Sequence, residues 1–207
     1  MPELPDVELY LHALGPRITG QTLERVRIVS PFLLRSVTPA IGSLEGRRVL
    51  GLRRLGKRIV WALDEDLFVV IHLMIAGRFR WAGPGPRTAQ GGQAPKTTLA
   101  TFDFTSGTLT LTEASAKKRA SLYVVHGEAA LAEHDPGGLD VLTATGNAFG
   151  ARLRLENRTL KRALTDPRLF SGIGNAYSDE ILHEARLSPT QLTSNLTDLQ
   201  EIGRAHV

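Results

Sequence analysis

Apolar positions recur along the chain with two different periods, and the change of period divides it. Val7, Tyr10, Leu11 and Leu14 share one face at helical spacing, and Pro5 suits a first turn, so a helix is predicted over Pro5–Leu14. Gly15-Pro16 is expected to stop it. From about Leu23 to Gly127 the pattern shortens to brief runs broken by turns. Strands are predicted at Leu23–Ser30, Arg48–Arg54, Arg58–Leu63, Leu67–Leu73, Arg78–Trp81, Thr98–Phe104, Thr108–Thr112 and Ser121–His126. The run Arg58-Ile59-Val60-Trp61-Ala62-Leu63 alternates in period two, and many short strands at even spacing indicate a β-sandwich or barrel. Gly83–Lys96, rich in glycine and proline, reads as a loop. Asp135-Pro136-Gly137-Gly138 is the expected domain boundary. Beyond it the helical period returns at Asn147–Leu155, Thr159–Asp166, Asn175–Ala185 and from Leu196 onward. The expected fold class is α+β: an N-terminal β-sandwich with an N-terminal helix over 1–134, then a helical domain over 139–207. The segment opening at Leu196 reaches Val207 without a C-cap, so the second domain is expected to be truncated.

Composition narrows the class. The longest apolar run, Leu67–Ile71, falls far short of the ~20 residues of a membrane helix. The polar N-terminus, with Glu3, Asp6 and Glu8, is unlike a secretory signal. A cytoplasmic monomer without membrane association is expected. The absence of cysteine excludes disulfides, thiol nucleophiles and thiolate zinc sites.

Charge adds a partner. Residues 1–119 hold 17 basic and 10 acidic groups, a balance of +7, whereas residues 120–207 hold 8 and 11, a balance of −3. The densest cluster is Arg47, Arg48, Arg53, Arg54, Lys57 and Arg58. Guanidinium forks bind phosphate bidentately and are weakly hydrated, which points to nucleic acid; a solvated strand face is the plainer alternative.

The N-terminus carries chemistry of its own. Removal of Met1 would leave Pro2 as a free secondary amine just ahead of a helix. The positive end of the helix dipole disfavours a second cation, so the amine's pKa should fall below its usual ~8. A secondary amine that attacks an aldehyde gives an iminium with no nitrogen proton to lose, a lasting electron sink for β-elimination. Glu3 beside it can move protons. Taken alone, Pro2-Glu3-Leu4-Pro5 reads more readily as a stiff helix entry.

Two motifs outweigh that plainer reading. Met-Pro-Glu-Leu-Pro-Asp-Val-Glu at residues 1–8 resembles the N-terminal signature of the formamidopyrimidine-DNA glycosylase/endonuclease VIII family. Gly172-Ile173-Gly174-Asn175-Ala176-Tyr177-Ser178-Asp179-Glu180-Ile181-Leu182 resembles that family's helix–two-turn–helix motif. The resemblance implies a base-excision repair enzyme acting on damaged double-stranded DNA, a glycosylase with abasic-site lyase activity and nucleoid association. A non-catalytic damaged-DNA-binding module is the alternative. The resemblance makes Pro2 the Schiff-base nucleophile, Glu3 the general acid/base and Lys57 the catalytic lysine. It makes Lys161, Gly174 and Asn175 phosphate-binding. The exposed amides of a helix start after Gly172 and Gly174 give physical support to that anion site. His72-Leu73-Met74-Ile75-Ala76-Gly77 resembles the loop whose apolar side chain fills the space left by an everted base, a role open to Met74 or Ile75.

The chain departs from the pattern twice. The family's Asp-Pro-Arg-Arg-Phe-Gly segment is replaced by Thr112–Ser121, where Lys118 and Arg119 are expected to contact DNA opposite the lesion without an aromatic wedge. The family's zinc finger is absent along with its cysteines, so no cofactor is expected in this chain. Overall similarity favours oxidised purines as substrates, and oxidised pyrimidines stay open.

Overall fold

The computed structural model describes residues 2–84 and 95–197. Most of the predicted loop Gly83–Lys96 and most of the segment from Leu196 lie outside those residues. The chain folds as two compact units, Met1–His134 and Asp135–Val207.

The first unit opens with helix α1 (Leu4–Ile18), which runs through Gly15-Pro16 instead of stopping there. Pro16 forfeits one helical bond near the C-terminal end, while Ile18, wholly buried, anchors the last turn in the core. The Arg17 guanidinium donates to the Ala13 carbonyl and Thr19 N–H to Gly15 O at 3.0 Å, which completes the end.

Eight antiparallel strands follow: β1 (Thr22–Ile28), β2 (Arg47–Leu55), β3 (Arg58–Leu63), β4 (Leu67–His72), β5 (Gly77–Ala82), β6 (Thr98–Phe104), β7 (Gly107–Glu113) and β8 (Ser121–His126). Their order is β5-β7-β6-β1-β2-β3-β4-β8. The β1–β2 pairing is confined to Thr22↔Arg48 and Leu23↔Arg47, so this junction is the corner between two four-stranded halves. The halves enclose one core: Trp61 on β3 meets Phe102 on β6 edge-on, with ring centroids 4.9 Å apart. The second face of β3 and β4 is also apolar, because Val60, Phe68 and Val70 pack beneath Leu131 of a short helix, α2 (Glu128–Ala132). The sequence pattern did not predict α2, since one buried leucine in five residues carries no helical period.

In the second unit, β9 (Leu139–Asp140) pairs in parallel with β10 (Phe170–Ser171). Helices α3 (Gly146–Leu153), α4 (Leu160–Thr165) and α5 (Asn175–Glu184) pack around Leu153, Leu160, Leu164, Phe170, Ile173 and Leu182. Gly138 lies within this unit and has a packing role. A Cβ there would lie 2.3 Å from the Pro167 carbonyl oxygen, so the β9–β10 approach requires glycine.

Candidate catalytic and DNA-binding sites

Glu3 is the N-cap of α1 and forms a reciprocal capping box with Asp6, whose Oδ2 accepts the Glu3 N–H at 2.9 Å. Leu4 and Val7 bury the same end in the core, and both Pro2 and Glu3 are buried with it. The cap therefore fixes the Glu3 backbone, and with it the attachment of Pro2.

Lys57 stands in the β2–β3 turn, directly after Gly56, whose φ of +61° is the left-handed conformation that glycine adopts without strain. Burial pushes its ammonium below the usual lysine range, and the Glu3 carboxylate opposes that effect. The fold thus brings Glu3 and Lys57 within each other's field. His72, at the end of β4 and in register with Arg58, joins them. Burial and the Arg58 and Lys57 cations push the imidazole down to about 4, so it is neutral at pH 7. Its Nε2 is buried without a hydrogen-bond partner. Sequence reasoning passed over His72, whose orphaned, buried imidazole only the fold reveals.

The basic cluster does not present one common face. Neighbouring strand residues point to opposite sides. Arg53 pairs with Glu128 at 2.5 Å, and Arg54 is buried against Glu8 at 2.7 Å. Arg47 pairs with Glu65, and Arg58 donates to the His134 carbonyl at 2.7 Å.

The turn after β4 separates the two apolar candidates. Leu73 is buried, Met74 adopts φ +54°, and Ile75 is 51% exposed at the tip. Gly77 N–H closes the turn on Leu73 O at 2.9 Å, where a Cβ would lie 2.4 Å from that same oxygen. Farther on, the buried Glu113 carboxylate accepts the N–H groups of Arg119 (2.9 Å) and Ala120 (3.1 Å), and Lys118 Nζ donates to the Glu113 carbonyl. This acid, which sequence reasoning missed, shapes the loop that leaves Arg119 exposed and turns Lys118 back on the backbone.

In the second unit, Gly172 has φ +91°, whereas Gly174 is extended and serves as the N-cap of α5. Only the first glycine of the pair thus needs the left-handed region. Gly174 brings no capping side chain, and Asn175 follows it, exposed at the first helical position. Lys161 on α4 is held by both carboxylate oxygens of Asp179 on α5, at 2.6 and 2.7 Å.

The formamidopyrimidine-DNA glycosylase N-terminal domain matches residues 1–119, and the formamidopyrimidine-DNA glycosylase H2TH domain matches residues 138–206. The chain belongs to the formamidopyrimidine-DNA glycosylase family. The formamidopyrimidine-DNA glycosylase of Heliobacterium modesticaldum is 34% identical over 206 residues, which span 96% of this chain and 72% of that protein. That of Thermus thermophilus is 35% identical, over 96% of this chain and 69% of its own length. The Lactococcus lactis glycosylase, solved with abasic-site DNA, superposes with a TM-score of 0.84 at 24% identity, covering 99% of this chain and 74% of that one. A MutM structure with carbocyclic 8-oxo-G DNA superposes with a TM-score of 0.83, at 24% identity and over 99% of this chain and 75% of that one.

Formamidopyrimidine-DNA glycosylases of the zinc-finger type bind that metal through thiolates, and this chain has no cysteine. Among the described residues no group of three or more histidines or acids is placed to hold a metal either, so the residues present do not fit such a site. No helix among the described residues is long and apolar enough to cross a membrane.

Proposed function

We propose that this glycosylase excises oxidised bases from double-stranded DNA and cleaves the resulting abasic strand, with the Pro2 amine as nucleophile. The observation that carries this reading is the buried Pro2–Glu3 helix entry sharing its field with a desolvated Lys57. The Pro2 nitrogen, freed by removal of Met1, attacks C1′ of the damaged nucleoside. The glycosidic bond breaks, and the base leaves with the electron pair. The nitrogen then loses its proton, its lone pair opens the sugar ring with a proton delivered to O4′, and the resulting iminium acidifies C2′–H; a base removes that proton, and the electron pair forms C2′=C3′ as the 3′ phosphate leaves. Glu3 is the proton carrier for these steps, and Lys57, lowered by burial, holds the adjacent phosphate and shares in proton transfer.

Ile75, exposed at a turn pinned by Gly77, fills the space of the everted base, with Met74 supplying the left-handed position beneath it. Arg119, exposed, meets the strand opposite the lesion, with Lys118 held behind it on the Glu113 carbonyl. Lys161, Gly174 and Asn175 hold backbone phosphate at the α5 N-terminus. The related structures include an 8-oxo-G analogue and an oxidised-pyrimidine DNA, which favours oxidised bases as the substrate class.

Borohydride trapping tests the reading. The mature chain beginning at Pro2 should form a covalent adduct with abasic-site DNA, and a chain that keeps one extra N-terminal residue should not. Equal trapping by both would remove Pro2 from the reaction. Retention of DNA without any adduct would make the chain a binding module. Glu3→Gln should slow base removal far more than cleavage of a pre-formed abasic site.

A further inference from the structure

Arg54 lies on β2, three residues before Lys57, and its side chain is only 8% exposed. Its Nε donates to Glu8 Oε1 at 2.7 Å, and its Nη1 donates to the Gly56 carbonyl at 3.4 Å. Glu8 belongs to α1, the helix that Pro2 leads into through its N-cap Glu3. Gly56 is the left-handed residue that aims Lys57. One planar guanidinium is therefore shared between the element that holds the nucleophile and the turn that holds the lysine.

We propose that Arg54 is a positioning residue for the reaction: its fork, spanning Glu8 and Gly56, sets the placement of Lys57 relative to Pro2 and Glu3. The proposal rests on the reading that those three groups carry the chemistry. A buried cation could serve packing alone, but two features argue for a geometric role. Its Glu8 partner is 43% exposed, so the carboxylate keeps part of its hydration without the arginine. And the two acceptors sit on different elements, a span for which a rigid fork with several donors is suited and a single ammonium is not.

The test uses the mature chain, a duplex with a pre-formed abasic site, and an uncleavable tetrahydrofuran duplex to read binding separately. Arg54→Met and Arg54→Lys should bind the tetrahydrofuran duplex within about twofold of wild type. Both should form the trapped adduct about tenfold to a hundredfold more slowly in single turnover, the scale on which small misplacements act. Their pH–rate profiles should move as well, because Lys57 no longer sits in the same field of Glu3. Glu8→Gln, which keeps an acceptor for Nε, should retain more of the trapping rate than Glu8→Ala. The Arg54→Met/Glu8→Ala double variant should be no slower than Arg54→Met, since both act through one contact.

Wild-type trapping rates in Arg54→Met and Arg54→Lys would overturn the proposal. So would a slowing that tracks a lowered melting temperature with an unmoved pH profile, or equal rates for Glu8→Gln and Glu8→Ala. Failure of wild type itself to trap would instead overturn the Schiff-base reading, and the proposal with it.

Discussion

His72 gives the sharpest quantitative expectation. In the unfolded chain its imidazole takes up a proton as pH falls through 6.5, whereas in the fold it resists protonation until about 4. The native state therefore binds fewer protons across that window, and stability must fall as pH falls through it. Above about pH 7 the group contributes nothing to the slope. At pH 5 the linkage amounts to about 2 kcal/mol, and it approaches about 3 kcal/mol below pH 4, at about 1.4 kcal/mol per pH unit. His72→Gln removes the titration and keeps a polar side chain. Other carboxyls also titrate at low pH, so the informative quantity is the difference between wild type and variant. Both tryptophans, Trp61 and Trp81, lie in the first unit with His72, so urea denaturation followed by tryptophan fluorescence reads that unit directly. From pH 8 to pH 5 wild type should lose about 2 kcal/mol more than His72→Gln. Parallel pH curves for the two proteins would refute the argument, because they would mean that His72 is protonated as easily inside the fold as outside it.

Three further outcomes follow from single contacts. Gly77→Ala places a Cβ 2.4 Å from the Leu73 carbonyl oxygen and must open the turn that presents Ile75. Excision of a damaged base should then slow more than cleavage of a pre-formed abasic site, and unchanged excision would show that the turn is not needed. Asp179→Asn releases Lys161 from an exposed pair worth about 1 kcal/mol or less. Binding to undamaged duplex should tighten up to about fivefold, with a salt slope steeper by about 1; weaker binding would make Asp179 an orienting group instead. Glu113→Ala leaves the Arg119 and Ala120 N–H groups without their carboxylate and should cost about 1–3 kcal/mol in thermal or urea denaturation. An unaltered melting temperature would show that water replaces the acid.

The sequence by itself determined several strands and the helix start behind Pro2-Glu3. Arg58–Leu63, Thr98–Phe104 and Ser121–His126 are strands with the bounds that alternation and flanking turns imply, because side-chain period and turn residues are local properties. Pro2-Glu3 and Gly172–Asn175 were legible for the same reason: a helix start and a glycine turn are written in adjacent residues. What only the tertiary structure decided depends on burial and on partners distant in sequence. Gly15-Pro16 did not stop α1, because Ile18 gains more from the core than Pro16 loses in one hydrogen bond. The arginines of β2 look alike in sequence, yet Arg53 meets Glu128 whereas Arg54 is buried against Glu8. The lowered lysine at position 57, the neutral His72 and the anchoring Glu113 arise from desolvation and long-range contacts, and no run of neighbouring residues encodes those. Local periodicity specifies the elements; which charges lose their water is settled only when the elements close around them.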